Sequence, residues 1–299
     1  MRNIQTKRPP DEYTPPENAP EWFINNLQTP GDSHYIRSNG GNVHFLAWNW
    51  DDISRPTLIF VHGFSGHARW WSFLAPFFID RFRIAAIDLP GMGDSEALAE
   101  YSPNSFSDAI LALIHTCELD RVTIVGHSFG GVQSLRAIAR EPAQFARGIV
   151  VDSNIRLNDE KPIRTLVPRG QHRMRDTHAE CIERFRLTPE QSVAEDCLLN
   201  YIAHHSCTRG EHGWHWKFDP KVQNLGEINS PALLADIETR VDLIYGQRSM
   251  FNDNERPQHL IRRLAQPGEA VIIPDGYHHL MLDHPLELVA SLKRLLIDM

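Results

Sequence analysis

Four short apolar runs constrain this chain more than any other feature. They are TLIFVHG (57–63), RFRIAAIDLPG (81–91), DRVTIVGHS (120–128) and FARGIVVDS (145–153). Each is continuous rather than alternating and closes on Gly, Asp or Ser, the pattern of a strand buried on both faces. Strands covered on both sides need helices on both sides, and the intervening stretches supply them. NSFSDAILALIHTCEL (104–119) has apolar residues at 106, 110, 111, 113 and 114, a helical period. GGVQSLRAIAREP (130–142) is similar and stops at Pro142. The rhythm resumes in TRVDLIYGQ (239–247), a helix near 254–265, EAVIIPDG (269–276) and an amphipathic helix from Pro285. Strands alternating with helices predict an α/β fold with a mostly parallel sheet.

Three segments stand outside that rhythm. Residues 1–20 are Pro-rich and polar and read as an extension, with Trp22 and Phe23 pinning its end. SHYIRSNGGNVHFLAWNW reads as a hairpin around Asn39-Gly40-Gly41, because Asn and Gly tolerate positive φ. Residues 154–234 carry no buried-strand run; their helical pieces predict an insertion between two strands of the core, which spans 21–153 and 235–299.

Composition narrows the function classes. The net charge of −8 argues against a nucleic-acid backbone as partner. No apolar run approaches the roughly 18 residues that span a bilayer. The start lacks the apolar stretch of a secretory signal. Four cysteines without CxxC spacing make no disulfide framework, so a cytoplasmic location is expected.

The chemistry concentrates in VTIVGHSFGG. Gly126-His127-Ser128-Phe129-Gly130 is a GxSxG directly after a buried strand and before a helix, the context of a nucleophile elbow. Its glycines let a tight turn lift Ser128 from the strand end. A serine hydroxyl needs a base, and the base needs an orienting acid. GYHHLMLDHP supplies two candidates late in the chain, His278 and His279, with His284 less well placed. An oxyanion needs two backbone donors. Phe129 N–H follows the nucleophile, and Phe64 N–H lies in the loop after TLIFVHG, where Gly63 permits close approach. His62 reads as a turn residue. Trp70, Trp71 and His127 flank these loops as candidates for the substrate pocket. The HHSC at 204–207 and the six histidines of the insertion (172, 178, 204, 205, 212, 215) have no zinc-finger spacing, so no metal is expected there.

HGFSGHARWW, DLPGMGDS, VGHSFGG and YHHLMLDHP, in this order over residues 57–285, resemble the α/β-hydrolase superfamily. The resemblance implies an eight-stranded, mostly parallel sheet and makes 154–234 a helical cap. It assigns Asp88, Gly91, Gly93 and Asp94 to a structural loop. It selects His278 over His279 as base, since Asp283 and Pro285 follow at the family's spacing. The commonest position for the acid, three residues after Gly246, is here Ser249, which carries no charge. Asp152 at the end of GIVVD is preferred, because some relatives place the acid there and a strand end is rigid. Asp253 is the alternative, with Asp242 behind it.

The implied activity is that of a serine hydrolase of carboxylic esters, with no cofactor and a small, apolar substrate. Serine at the elbow argues against the haloalkane dehalogenases and epoxide hydrolases, which use a carboxylate there. A carbon–carbon bond hydrolase and a non-catalytic ligand-binding member are the other readings.

Overall fold

A computed structural model of the 299-residue chain describes residues 13–155, 173–224, 237–253 and 255–297. A short helix, α1 (Glu21–Leu27), precedes the hairpin of β1 (Asp32–Ser38) and β2 (Gly41–Trp48). The turn between them has φ of 49° at Asn39 and 83° at Gly40, the left-handed pair that a two-residue hairpin demands. Then come β3 (Thr57–Val61), α2 (Arg69–Ser72), β4 (Arg83–Ile87), α3 (Ser105–Thr116), β5 (Val122–His127), α4 (Phe129–Arg140) and β6 (Phe145–Val151). The insertion contributes α5 (His178–Glu183), α6 (Asp196–His205), β7 (Cys207–Gly210) and β8 (Gly213–Trp216). The core resumes with β9 (Val241–Gly246), α7 (Arg256–Ile261), β10 (Pro267–Ile273), α8 (Leu280–Asp283) and α9 (Pro285–Leu295).

Eight strands form one sheet in the order β1-β2-β4-β3-β5-β6-β9-β10. β1 and β2 are antiparallel to their neighbours, and the remaining pairs are parallel. Alternate residues of each apolar run go to opposite faces. Ile59, Val61 and Ile124 pack with Phe106, Ile110 and Ile114 of α3 and Leu135 and Ile138 of α4. Leu58, Phe60, Val125 and Ile149 pack with Trp71 of α2, Leu198 and Ile202 of α6, and Leu288 and Leu292 of α9. Two cores, one per face, explain why the runs are continuous.

The strand order reverses at β3. The chain leaves β3 for β4 on one side and returns to β5 on the other, with Val61 paired to Gly126. Loops after β3 and β5 therefore diverge at the strands' C-terminal ends, the switch point at which α/β sheets generally take their ligands.

Within the insertion, 173–224 is described, and it is not purely helical. β7 and β8 pair antiparallel, Cys207 opposite Trp216. These four-residue strands are largely half-exposed, so no buried run marks them in the sequence. The segment is fastened to the core by Ser72 Oγ with Tyr201 OH at 2.6 Å, His67 Nε2 with Ser206 Oγ at 2.9 Å and Lys217 Nζ to Asp94 Oδ1 at 2.6 Å. Among the described residues, no helix is long and apolar enough to cross a membrane.

Candidate active site

Ser128 sits between β5 and α4 with φ 53° and ψ −119°, a conformation costly for a residue with a side chain and characteristic of functional turns. Its N–H donates to Val151 O at 2.9 Å, and its carbonyl accepts from Gly131 N at 3.1 Å. Glycine is obligatory on both sides. A Cβ at Gly126 would stand 2.6 Å from Gly130 O, and one at Gly130 would stand 2.3 Å from His62 O. The side chain of Ser128 is only half-buried, so it remains reachable.

The loop after β3 lies against this turn. A Cβ at Gly63 would fall 2.8 Å from His127 Nδ1 and 3.3 Å from Ser128 Cβ. The Phe64 and Phe129 rings meet edge to face at 5.4 Å, which brings the two candidate oxyanion residues side by side. Phe129 opens α4, where the first N–H groups lack intrahelical acceptors. His62 is fully buried; its Nδ1 donates to Gly63 O at 2.7 Å and its Nε2 accepts from Leu89 N at 3.0 Å. Asp88 accepts from His44 Nδ1 at 2.6 Å, Ala68 N at 2.5 Å and Asp94 N at 2.8 Å, tying the neighbouring loops together.

A third loop arrives from β10. His278, buried, donates from Nδ1 to Asp152 Oδ1 at 2.9 Å. Its carbonyl accepts from His127 Nε2 at 3.0 Å, which links it to the residue preceding Ser128. The His127 and His278 ring centroids are 4.7 Å apart. Asp152 follows β6 with φ 43° and is wholly buried. Besides His278 it holds Ser249 Oγ at 2.5 Å on Oδ1 and Gly246 N at 2.8 Å on Oδ2. Gly246 lets the β10 loop pass over β9, since a Cβ there would lie 2.4 Å from both Gly276 O and Tyr277 O. Asp283 Oδ2 accepts from Tyr277 N at 2.5 Å and so holds the loop on its other side.

The other candidates lie elsewhere or do other work. Asp253 Oδ1 accepts from Arg256 N at 2.7 Å and Glu255 N at 3.2 Å, capping α7. Asp242 is buried in an ion pair with Arg147 and accepts from Glu269 N at 2.7 Å. His284 is partly exposed beside Asp283. Trp71 is fully buried and stacked on Phe60 at 4.8 Å, a core residue. Trp70 instead turns toward the β10 loop, 5.2 Å from the His279 ring. Two partners carry no sequence signal for this role: Ser249, which bonds Asp152, and Gln191, whose Oε1 accepts from His279 N at 2.8 Å.

Burial sets the charge states. It pushes the Asp152 carboxyl up to about 7, against the lowering pull of the Ser249 and Gly246 hydrogen bonds. It pushes His278 down to about 3. His127 also falls to about 3, through burial first and the His278 charge second, and His279 falls well below its ordinary value for the same reasons. All three imidazoles are therefore neutral near pH 7, able to accept a proton or a metal. One ring nitrogen from each of the three lies within 4.8 Å of the others. The HHSC histidines join no such group among the described residues: His204 and His205 pack edge to face with each other and with Tyr13 and Tyr201. His172 lies outside the described residues.

A sequence model of the alpha/beta hydrolase family matches residues 58–292. Among curated proteins, the uncharacterized hydrolase YugF of Bacillus subtilis (strain 168) is 29% identical over 126 residues, 42% of this chain and 45% of that protein. Esterase Rv0045c of Mycobacterium tuberculosis is 22% identical over 272 residues, 87% of this chain and 88% of the esterase. The first curated relatives are matched over less than half of their own length. In solved structures, the thioesterase domain from the curacin biosynthetic pathway superposes with TM-score 0.72 at 20% identity, over 87% of this chain and 98% of the domain. The crystal structure of the Mycobacterium tuberculosis esterase gives TM-score 0.68 at 19% identity, over 93% and 97%. These likenesses establish the fold, which hosts many chemistries.

Proposed function

The chain belongs to the alpha/beta hydrolase family, and on that premise we propose that it is a serine hydrolase of carboxylic esters or related acyl compounds. One observation carries the reading: the buried 2.9 Å bond from His278 Nδ1 to Asp152 Oδ1, with the His278 carbonyl tied to His127, the residue before Ser128. That bond keeps the imidazole proton on Nδ1 and leaves a lone pair on Nε2, as a general base requires. Ser128 Oγ attacks the substrate carbonyl while its proton passes to His278 Nε2. The Phe64 and Phe129 N–H groups donate to the oxyanion. The tetrahedral intermediate collapses and expels the alcohol, which takes the proton from His278. Water, deprotonated by the same nitrogen, then releases the acid and restores Ser128. Asp152 orients His278 and stabilises its transient positive charge.

Phe64 packs on Phe129 and Phe218, and Trp70 on His279, so the loops next to Ser128 and His278 carry aromatic surface that suits an apolar acyl or alcohol group. The insertion, 154–234, acts in this reading as the cap that selects it. The esterase and thioesterase named above cleave acyl bonds, chemistry the same groups can perform. A reducing, cytoplasmic setting fits the four unbridged cysteines.

The test is labelling of the purified chain with a fluorophosphonate probe, beside turnover of p-nitrophenyl esters and of a vinylogous diketone. Wild type should label and cleave the esters, and Ser128→Ala should lose both, with turnover down by up to about 10⁶. Activity retained in Ser128→Ala would refute the assignment. Cleavage of the diketone alone would make it a carbon–carbon hydrolase, and an unreactive wild type would make it a binding protein.

A further inference from the structure

Three buried histidines converge on one another, one of them His127, the residue before Ser128, and the proposed reaction uses one of the three. The His127–His278 and His278–His279 ring centroids are each 4.7 Å apart, and His127–His279 is 5.6 Å. The bonds already made decide which nitrogens carry lone pairs. His278 gives its Nδ1 proton to Asp152, leaving Nε2. His127 gives its Nε2 proton to the His278 carbonyl, leaving Nδ1, which is buried and has no hydrogen-bond partner. That nitrogen opens on the serine side, since a Gly63 Cβ would lie between it and Ser128 Cβ. The His279 ring is buried against the carbonyls of Thr188 and Pro189, which take its one ring proton and leave the other nitrogen's lone pair free. Burying polar atoms unpaired is costly, and a cluster of them points to a ligand.

We propose that His127, His278 and His279 bind a divalent transition cation, Zn²⁺ or a metal of similar imidazole preference, and that its binding inhibits the enzyme. Imidazole nitrogens select such ions over Mg²⁺ and Ca²⁺. Tetrahedral zinc with bonds of about 2.0–2.1 Å needs ligand nitrogens about 3.3 Å apart. One ring nitrogen from each histidine already lies within 4.8 Å of the others, so binding has to draw them together by about 1.5 Å at most. Asp152 supplies the carboxylate behind a metal-bound histidine that fixes its tautomer and raises its basicity. With three protein ligands the fourth tetrahedral position falls to water, and Ser128, next in the chain to His127, is only half-buried. Inhibition rests on the reading of His278 as base: the metal takes the Nε2 lone pair that would accept the Ser128 proton. Metal binding itself does not rest on that reading.

The experiment is calorimetric titration of the EDTA-stripped full chain with ZnCl₂, beside the rate of fluorophosphonate labelling. Wild type should bind one Zn²⁺ at this site. His127→Ala and His279→Ala should each lose at least about tenfold in affinity. Labelling of wild type should slow with the same zinc midpoint and recover on EDTA addition. Because either variant can misfold, zinc-edge anomalous diffraction from wild-type crystals soaked in ZnCl₂ gives an independent readout, with a peak expected among the three rings. A peak elsewhere, unchanged affinity in both variants, or undiminished labelling at saturating zinc would overturn the proposal. A chain that never labels, yet binds zinc among the three rings, would instead break the hydrolase reading and leave the metal site standing.

Discussion

Replacing Asp152 by Asn tests the acid with the least disturbance of shape. The carboxylate is wholly buried and accepts from His278 Nδ1 and Ser249 Oγ on Oδ1 and from Gly246 N on Oδ2. An amide has one acceptor and one donor end, so it cannot satisfy all three. With its NH₂ in the Oδ2 position it faces the Gly246 N–H, two donors opposed in a dry site, at about 1–3 kcal/mol. With its NH₂ in the Oδ1 position it faces His278, whose Nδ1 must then accept. The imidazole proton moves to Nε2, and the lone pair that would take the Ser128 proton is gone. The second arrangement avoids the opposed donors, so the protein folds with the wrong tautomer. The expected loss in kcat is about 10⁴, or about 5.5 kcal/mol of barrier. Steady-state hydrolysis of a p-nitrophenyl ester reads it, with circular dichroism to confirm the fold. Asp253→Asn is the control: that carboxylate caps α7, and Asn caps helices as well, so activity should stay within about twofold. An Asp152→Asn rate within tenfold of wild type, or a larger loss from Asp253→Asn, would refute the assignment of the acid.

Ser249→Ala removes a donor that favours the charged form of Asp152, so its pKa rises further above about 7. The proposed reaction uses Asp152 ionised, so on that reading the acid limb of the kcat/KM profile should move up by about one pH unit, with the larger loss below pH 7; an unmoved limb would count against this role for Ser249. Gly130→Ala drives a methyl into the His62 carbonyl and should cost about 1–3 kcal/mol in urea unfolding while lowering the rate of probe labelling. Trp71→Ala opens a void under Phe60 and should cost about 3–5 kcal/mol in the same measurement.

The sheet was legible because its strands are covered twice. Continuous runs such as TLIFV and VTIVG admit few other structures, and the Ser128 turn declares itself by the glycines its packing demands. The hairpin β7–β8 was not legible, because four half-exposed residues per strand leave no pattern in apolar spacing. Nor was the strand order, which sets β3 between β4 and β5. Within the site, individual residues could be nominated, but their contacts could not. Asp152 and His278 are 126 positions apart, and no local spacing encodes their meeting. It depends on Gly246 giving way to the β10 loop and on Asp283 holding Tyr277, details of backbone passage rather than of pattern. Ser249 reads in the sequence as a missing charge; in the fold it donates to the buried Asp152 carboxylate.

The pairing of Val61 with Gly126 has a wider consequence. The loop bearing Phe64 and the turn bearing Ser128 spring from adjacent strands, whose separation of about 4.8 Å belongs to backbone hydrogen bonding. Side-chain replacement in the insertion cannot stretch or compress that interval. Descendants of such a protein can therefore vary the insertion freely, while the spacing of the two strands from which these loops spring passes to them unchanged.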